Sequence, residues 1–463
     1  MTSIMWFRRD LRLADNVALS AAADDRPVVG LFIVDPHLLA SVGPPRASYL
    51  VATLNEFVTR IPQITLREGD PTMALREVCR EVGATQVFAT AEYAPRGRHR
   101  DEAVAEALRA DGIIVHFLDS NYVVVPGTVK TKTGTSPKVF TPFRRGWELE
   151  PRPATLPTPS VDWVALDGVA PSRIKELAGR KIPNYFGELA TTMPQIGTSF
   201  GEPAALEALN AFTPRVANYD EDRNIPGIEG TSRLSPHLRF GTVHPRTVLA
   251  HTDGDTRGSE VFRSEIAWRE FYADVLWNNP SSTWEPLQPR MADLRIDTGE
   301  EALARFARWA VGETGYPIVD AGMRQLRAEG WMHNRVRMIT ASFLVKHLHL
   351  DWHWGASWFM WHLIDGDVAS NQHGWQWVAG TGTDASPFHR IFNPTLQAER
   401  FDPTGAYVHR WVPELRGVAA PECLQPGGGE GLLAPAGYLS PMIDAATERD
   451  ETLRRLAELK EQA

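Results

Sequence analysis

The stretch that decides how this chain folds and what it binds runs from residue 331 to residue 377 and reads WMHNRVRMITASFLVKHLHLDWHWGASWFMWHLIDGDVASNQHGWQW. It holds seven of the chain's fifteen tryptophans, interleaved with Asn, Arg, Asp and His. Indoles usually enter a hydrophobic core, whereas a plain core excludes charges or pairs them. The mixture therefore predicts a wall that stacks flat rings and holds anionic groups; the alternative is a crowded core.

Residues 330–348 have the periodicity of a helix with two different faces. Apolar residues at helical spacing form a stripe that can contact the core: Met332, Val336, Ile339 and Phe343. The opposite face has four residues that are unusual on a helix surface: Trp331, Asn334, Arg335 and Met338. A surface helix would place Lys and Glu there, so this face predicts a binding site. An ordinary buried helix with a few satisfied polar groups is the alternative.

Residues 259–277 form a second helix of this kind. One of its faces combines aromatic and charged residues: Phe262, Glu265, Arg269, Tyr272 and Leu276, with Trp268 beside them. Taken alone, Glu265 and Arg269 at i, i+4 are typical of an ion pair on a helix surface. Flanked by three aromatic rings, the pair predicts contact with a stacked polar ligand.

Two loops supply further polar groups. Residues 230–236, GTSRLSP, place hydroxyls and backbone N–H groups before a helix, where they can hold a phosphate or merely cap the helix. Asp365 and Asp367 lie in a turn beside the tryptophans, followed by Asn371. Their carboxylates can pair an arginine and accept hydrogen bonds from a ligand. No His or Cys stands at metal-ligand spacing from them, so no metal site is predicted.

Composition sets the outer bounds. At 463 residues the chain is long enough for two or three domains. The net charge of −9 argues against indiscriminate binding of polyanions, but a local basic patch can still bind DNA. With only Cys79 and Cys423, no apolar run of membrane-spanning length and charges near the start, the sequence predicts a cytoplasmic protein without a disulfide framework.

The order of apolar runs predicts the fold class. Strands are predicted at residues 4–7, 28–34, 64–66, 87–90 and 113–117, with helices at 15–23, 48–60, 72–82 and 100–110. This alternation indicates a parallel α/β sheet. Prolines recur from Pro151 to about Pro214, and the pattern from about Pro203 to the amphipathic end at 446–462 is helical. We therefore predict an α/β chain with a Rossmann-like domain (1–125), a long linker (126–200) and a mainly α-helical domain (201–463).

Long motifs in a fixed order resemble the photolyase/cryptochrome family. They are WFRRDLR (6–12), VFTPF (139–143), WREFY (268–272), TGYPIVD (314–320), GWMHNRVRM (330–338), DGD (365–367) with Asn371, GWQW (374–377) and RIFNP (390–394). The resemblance covers essentially the whole chain. It implies FAD in the helical domain and a light-driven reaction: the excited, fully reduced flavin gives an electron to a pyrimidine dimer in DNA, the cyclobutane ring opens, and the electron returns. The cofactor would do the hard chemistry while the protein positions it.

The resemblance also implies site residues. Around FAD it places Tyr219, Thr231, Ser232, Leu234, Ser235, Phe262, Glu265, Arg269, Trp331, Asn334, Arg337, Asp365, Asp367 and Asn371, with Arg337 pairing Asp365 near the flavin ring. Toward a flipped-out dimer and its flanking DNA it places Arg223, Glu265, Trp268, Asn334, Arg335, Met338, Trp377 and Gln397. The catalytic set it implies is Glu265, Asn371, Trp375 and Trp352, and Trp268 and Trp377 would form the stacking wall.

Within the family, repair of cyclobutane dimers is expected. Enzymes for the six–four photoproduct place histidines on the helix that holds Asn334 to Met338, whereas His333 points toward the core stripe. Plant-type cryptochromes have Asp, and animal types Cys, where Asn371 stands; Asn favours a fully reduced flavin. A monomer without an obligate protein partner is expected. The alternative is a cryptochrome-type blue-light photoreceptor that signals instead of repairing.

One departure from the family pattern concerns the tryptophan relay that reduces the flavin. The relay would contain Trp375 near the cofactor and Trp352 in the middle, but its outermost position falls on Gly299. Three other tryptophans, Trp309, Trp284 and Trp354, are candidates for that role, or the route differs.

A second departure concerns the antenna chromophore, which the family binds in the N-terminal domain. Arg96 and Gly97 stand where a folate would need an Asn-Glu pair, ahead of Arg100 and Asp101. The sequence therefore favours a deazaflavin over a folate.

Overall fold

The computed structural model describes residues 2–191, 194–197, 199–383, 391–428 and 437–461. Arg390, the first residue of the RIFNP motif, lies outside them. In the described part of the chain, no helix is long and apolar enough to cross a membrane.

The N-terminal part is built on a five-stranded sheet. Its strands are β1 (Ser3–Phe7), β2 (Val28–Val34), β3 (Thr65–Glu68), β4 (Gln86–Thr90) and β5 (Ile114–Leu118). All neighbours are parallel, in the order β3-β2-β1-β4-β5. Every residue of β1 and β2 is buried, as expected for parallel strands covered on both faces. The predicted α/β class is confirmed, and each strand lies within two residues of its predicted position.

Helices alternate with these strands along the chain. They are α1 (Val17–Ala22), α2 (Pro36–Leu39), α3 (Pro44–Arg60), α4 (Pro71–Val82) and α5 (Pro95–Ala110). Three of them begin earlier than predicted: α3 at Pro44 instead of residue 48, α4 at Pro71 instead of residue 72, and α5 at Pro95 instead of residue 100. Proline at the first helical position has its φ already set and loses no hydrogen bond there, so it begins the helix.

The segment expected to be a linker, 126–200, wraps around the sheet domain and contains short helices. These are α6 (Phe140–Leu149), α7 (Arg173–Leu177) and a 3₁₀ helix (Asn184–Thr191). Its backbone pairs with the start of β2, because Val28 donates to the Asp162 carbonyl and Val164 donates to the Val28 carbonyl. The Trp163 ring packs 6.5 Å from the Phe7 ring. The segment is therefore fixed against the first domain.

From residue 201 onward the described chain is helical, as predicted. Its α-helices are α8 (Gly201–Phe212), α9 (Tyr219–Asp222), α10 (Ser235–Phe240), α11 (Pro245–Thr252), α12 (Arg257–Asn278), α13 (Glu300–Val311), α14 (Pro317–Glu329), α15 (Asn334–Lys346), α16 (Trp352–His362), α17 (Val368–Ala379), α18 (Pro394–Phe401), α19 (Ala406–Trp411) and α20 (Ala445–Glu461). Short 3₁₀ turns lie at Thr213–Asn218, Pro280–Thr283, Pro289–Asp293, Pro413–Leu415, Glu422–Leu424 and Pro426–Gly428.

Helix α15 has the core stripe that the sequence predicts but begins later than predicted. Val336, Ile339 and Phe343 are at most 1% exposed. Gly330 adopts φ 65° and ends α14, and the His333 side chain caps α15 by accepting from the Arg335 N–H. Residues 330–333 therefore form a turn between two helices, and a helix start at residue 330 was wrong.

A buried carboxylate on α12 joins the end of the N-terminal domain and the linker to the helical domain. Glu270 accepts hydrogen bonds from the backbone N–H of Val123 at 2.5 Å and of Val124 at 3.0 Å, and from Trp147 Nε1 at 2.6 Å. Glu270 is 1% exposed, so these donors have no access to water as a substitute acceptor.

We expect Glu270→Leu to lower the free energy of unfolding by about 3 kcal/mol or more, because each buried donor left unpaired costs about 1–3 kcal/mol. Urea denaturation followed by tryptophan fluorescence measures this. The control is Glu260→Leu on the same helix, whose carboxylate pairs with exposed Arg257 and should cost about 1 kcal/mol or less. Equal losses in the two variants would contradict the anchoring role.

Candidate cofactor and substrate cavity

A cavity of about 480 Å³ lies between α10, α12, α15, α16 and α17. Its volume is within the range of pockets for small molecules and cofactors. Eighteen of the residues singled out from the sequence line it: Tyr219, Arg223, Ser232, Leu234, Ser235, Phe262, Glu265, Trp268, Arg269, Asn334, Arg335, Arg337, Met338, Asp365, Asp367, Asn371, Trp375 and Trp377. The spare face of α15 and the aromatic face of α12 thus meet at one cavity.

Four of the residues singled out are not among its lining residues. Trp331 lies behind the wall, where its Nε1 donates to Ser235 Oγ at 3.2 Å. Thr231 lies in the loop before α10, and Gln397 lies on α18. Trp352 lines a separate cavity of about 210 Å³ together with Lys346, Leu350 and Arg455.

One acidic residue ties three elements of the cavity wall together. Asp365 is buried, and Arg337 approaches it with both guanidinium nitrogens, at 2.8 Å to Oδ2 and 3.2 Å to Oδ1. Ser235 Oγ, at the start of α10, donates to Asp365 Oδ2 at 2.6 Å. A bidentate pair of this kind fixes orientation as well as charge. The two side chains therefore hold α10 and α15 against the turn before α17.

The next two residues tie the same turn to the N-terminal domain. The Gly366 carbonyl accepts from Arg46 Nη1 of α3 at 3.2 Å and from Arg239 Nε of α10 at 2.7 Å. Asp367 Oδ2 accepts from Arg9 Nη2, just after β1, at 2.6 Å. A Cβ atom at position 366 would lie 2.4 Å from Arg46 Nη1, so a side chain there would push the guanidinium away from the Gly366 carbonyl.

Charges around Asp367 keep the cavity floor ionised. Burial opposes ionisation, but the positive charges of Arg9, Arg239 and Arg269 outweigh it and hold the pKa of Asp367 well below its ordinary value. Burial first, and then the neighbouring Arg9, lower the pKa of Arg239 to about 9. The floor is thus a compact cluster of arginines around Asp367, with Glu92 also beside Arg9 at 3.8 Å.

Sequence reasoning missed Arg239, which lines the cavity. Its spacing of four residues from Ser235 on α10 places both on one helical face and was a usable signal. Phe359 and Tyr272 also line the cavity. Tyr272 was on the predicted aromatic face of α12 but received no role, and Phe359 was hidden within an all-apolar run of α16.

Two tryptophans and a methionine lie at the open side of the cavity. Trp268, Trp377 and Met338 are half-buried, whereas the rings of Phe262 and Trp375, deeper in the cavity wall, are buried. Phe140 stacks on Trp268 with ring centroids 3.7 Å apart and planes 9° apart. This ring, from the VFTPF motif, supports the tryptophan and holds its plane. Sequence reasoning gave Phe140 no role.

Charged groups border the same open side. Arg223 Nη1 lies 2.8 Å from Glu265 Oε1, and Arg335 Nη2 donates to Asn224 Oδ1 at 2.6 Å. Burial raises the pKa of Glu265, and the nearby Arg223 lowers it by a smaller amount. A carboxyl with a raised pKa beside stacking rings is a good hydrogen-bonding group for a polar ligand.

The inner wall is formed by α16 and α17. Asn371 Nδ2 donates to the Ala356 carbonyl at 3.1 Å and so is fixed at the cavity. The Trp375 indole Nε1 is buried, and none of the described residues accepts its hydrogen. Such an unpaired buried donor at a cavity wall suits an oxygen or nitrogen atom of a ligand. No group of three His, Cys, Asp or Glu residues in the described part of the chain is arranged to hold a metal ion.

Comparison with known proteins gives a consistent result over both domains. A family model described as "DNA photolyase" matches residues 3–160, and one described as "FAD binding domain of DNA photolyase" matches residues 262–458. Among similar proteins, the deoxyribodipyrimidine photo-lyase of Synechococcus sp. is 38% identical over 95% of this chain and 93% of its own length. The enzyme of the same name from Halobacterium salinarum is 39% identical over 90% of each chain.

Solved structures agree. A bacterial class III photolyase from Agrobacterium tumefaciens superposes with a TM-score of 0.90 at 35% identity, over 99% of this chain and 98% of that one. A Synechocystis cryptochrome superposes with a TM-score of 0.86 at 25% identity, over 98% of each chain. Given the matching domains, the full-length relatives and a cavity lined by the family's motif residues, the chain belongs to the DNA photolyase family.

Proposed function

We propose that this protein repairs cyclobutane pyrimidine dimers in DNA by light-driven electron transfer from FAD held in the cavity. The observation that supports this most strongly is the division of the cavity into a buried polar part and an open aromatic part. The residues present fit FAD: an arginine cluster, the Ser235–Asp365–Arg337 network and an unpaired buried indole N–H offer partners for phosphate, hydroxyl and ring atoms. Bound reduced FAD would supply the photochemical electron.

The protein's own residues would position both partners. Ser235, Arg337 and Asp365 would hold the cofactor, and Asn371 would contact its ring system. Trp268, kept flat by Phe140, and Trp377 would stack the flipped-out dimer. Glu265 would meet the dimer with a hydrogen bond, and Arg223 and Arg335 would contact flanking phosphates. We place the reaction in a monomer in the cytoplasm, with no obligate protein partner.

We also propose that an antenna chromophore of the deazaflavin type, and not a folate, binds the N-terminal domain. Arg96 and Gly97 lack the side chains that a folate would need. The fold supports this absence, because a Cβ atom at Gly97 would lie 2.8 Å from the Glu92 Cβ. An acidic side chain at position 97 would therefore displace Glu92.

A repair assay tests the function directly. The protein, loaded with FAD and chemically reduced, is mixed with an oligonucleotide that contains one thymine dimer. We expect the dimer to disappear under near-ultraviolet or blue light and to persist in the dark, as measured by chromatography of the digested DNA. A dimer that stays intact under light, although the flavin is bound and reduced, would contradict repair and favour a photoreceptor.

We expect Arg337→Met to weaken FAD binding, because it leaves the buried Asp365 carboxylate without its charge partner. Removing one member of a buried charge pair costs about 2–5 kcal/mol, which is roughly 30-fold or more in the dissociation constant. Equilibrium dialysis with fluorescence detection of FAD measures the change. The control is Arg324→Met, whose partner Glu414 lies at the surface at 2.8 Å. A similar loss of FAD affinity in both variants would show that Arg337 has no specific role in binding FAD.

We expect Trp377→Leu to weaken binding of dimer-containing DNA by about 1–3 kcal/mol while leaving undamaged DNA nearly unaffected, because a stacked base loses its platform. Fluorescence anisotropy in the dark with both duplexes measures the two affinities. Trp284→Leu is the control, since Trp284 is 58% exposed and lies outside the cavity. An equal loss for damaged and undamaged DNA would show that Trp377 does not recognise the lesion.

A further inference from the structure

We propose that electrons reach the cavity from the protein surface along five neighbouring rings, Trp375, Trp309, Phe306, Trp354 and Tyr185, and that Trp354 and Tyr185 form the surface end. The inference deepens the proposed function and rests on it, because a path inward matters only if the cofactor must be kept reduced. It replaces the expected route through Trp352.

The inner part of the path is rigid. Trp375 lines the cavity and is 3% exposed, and the Trp309 ring centroid lies 6.2 Å from that of Trp375. Phe359 packs against both rings, 5.0 Å from Trp375 and 6.2 Å from Trp309. A Cβ atom at Gly355 would lie 2.1 Å from the Trp375 ring, so only glycine allows α16 to lie this close. Trp309 Nε1 donates to the Thr340 carbonyl at 3.0 Å, which fixes its ring.

The outer part continues without a break to the surface. Phe306 lies 5.7 Å from Trp309 and 5.7 Å from Trp354, measured between ring centroids. Trp354 stacks on Tyr185 at 5.5 Å with planes 23° apart. Trp309 and Phe306 are fully buried, whereas Trp354 and Tyr185 are half-buried. The path thus crosses the protein from the cavity wall to a place that solvent reaches.

The route through Trp352 is less favourable because the ring contacts of Trp352 lead away from Trp375. In the described part of the chain, Trp352 makes no ring contact with Trp375; its ring lies 3.9 Å from His353, which lies 6.0 Å from Trp284. His353 Nδ1 lies 2.6 Å from Asp351 Oδ1, and Nε2 lies 2.6 Å from the Trp284 carbonyl oxygen.

Both nitrogens of His353 therefore face acceptors, which is the arrangement of a protonated imidazole. Burial alone would lower the pKa of His353, but the bonds to Asp351 and to the Trp284 carbonyl raise it overall. The Asp351 carboxylate offsets this charge, so the ring contacts of Trp352 lead to a His353–Asp351 charge pair and to Trp284, and not to Trp375.

Each step along the proposed path moves one electron inward. Bound FAD, when excited by light, would accept an electron from Trp375, and Trp309 would then return an electron to Trp375. Trp354 refills Trp309 across the Phe306 ring, which is not itself oxidised. Tyr185 refills Trp354 and releases its phenolic proton to solvent. A small thiol restores Tyr185 by giving up one electron and one proton, and the resulting thiyl radicals pair to form a disulfide.

Time-resolved absorption and electron paramagnetic resonance test the path in the FAD-loaded, oxidised protein with an added thiol. We expect Trp354→Phe to shorten the lifetime of the light-induced radical pair and to remove most of the photoreduction. Tyr185→Phe should abolish a tyrosyl radical signal and leave a tryptophan radical in its place. Both positions are half-buried, so these conservative variants should fold, which FAD retention verifies. Trp352→Phe and Trp284→Phe are matched controls that should photoreduce like the parent protein.

The result that would overturn the path is full photoreduction in Trp354→Phe with loss of photoreduction in Trp352→Phe. Photoreduction in Tyr185→Phe with an unchanged radical signal would remove Tyr185 from the path. Chemically reduced variants separate this inference from the proposed function: Trp354→Phe and Tyr185→Phe should then repair dimers at the parent rate, because they no longer need the path. Failure of the reduced parent to repair would refute the function, while the radical measurements would still decide the path.

Discussion

The structure depends on the turn formed by Asp365, Gly366 and Asp367. Side chains from both domains converge on it: Arg337 and Ser235 on Asp365, Arg46 and Arg239 on the Gly366 carbonyl, and Arg9 on Asp367. These bonds are mostly buried and involve charges. Removing one partner therefore leaves a buried charge that neither another side chain nor water compensates. The same turn begins α17, since Asp367 caps that helix by accepting from the Ser370 N–H. The same turn therefore holds the two domains together and shapes the cavity.

This network explains how an acidic protein can offer a site for anionic ligands. The whole chain has a net charge of −9, yet Arg9, Arg46, Arg239 and Arg269 gather around Asp367 at the cavity floor, with Asp365 and Glu92 nearby. These three carboxylates offset only part of the positive charge, so the floor keeps an excess that favours phosphate groups. Local arrangement, and not net charge, determines what the cavity attracts.

The sequence predicted the parts that rest on local pattern. The parallel sheet, the helical second half and the two-faced helices α12 and α15 follow from periodicity, which local backbone geometry preserves. It predicted less well where tertiary packing decides. The turn at 330–333 depends on Gly330 ending one helix and His333 capping the next. The support of Trp268 by Phe140 joins residues 128 positions apart, and the order of rings behind Trp375 depends on how α13 packs against α16. No periodicity reports such contacts.

Helix α17 shows why one stretch contains so many indoles. Asn371 and Trp375 are four residues apart and lie on the inner wall of the cavity, while Trp377, two residues further on, is half-buried at the open side. A rise of about 3 Å and a rotation of roughly 200° separate Trp375 from Trp377 on an ideal helix. The two rings therefore meet different environments: Trp375 packs against Trp309 and Phe359 in the core, and Trp377 is open to a ligand. A single helix can thus separate the route by which electrons enter from the surface on which the substrate stacks. Because the proposed path leaves the cavity behind Trp375, we expect a change at Trp354 to alter the supply of electrons while the stacking platform stays in place.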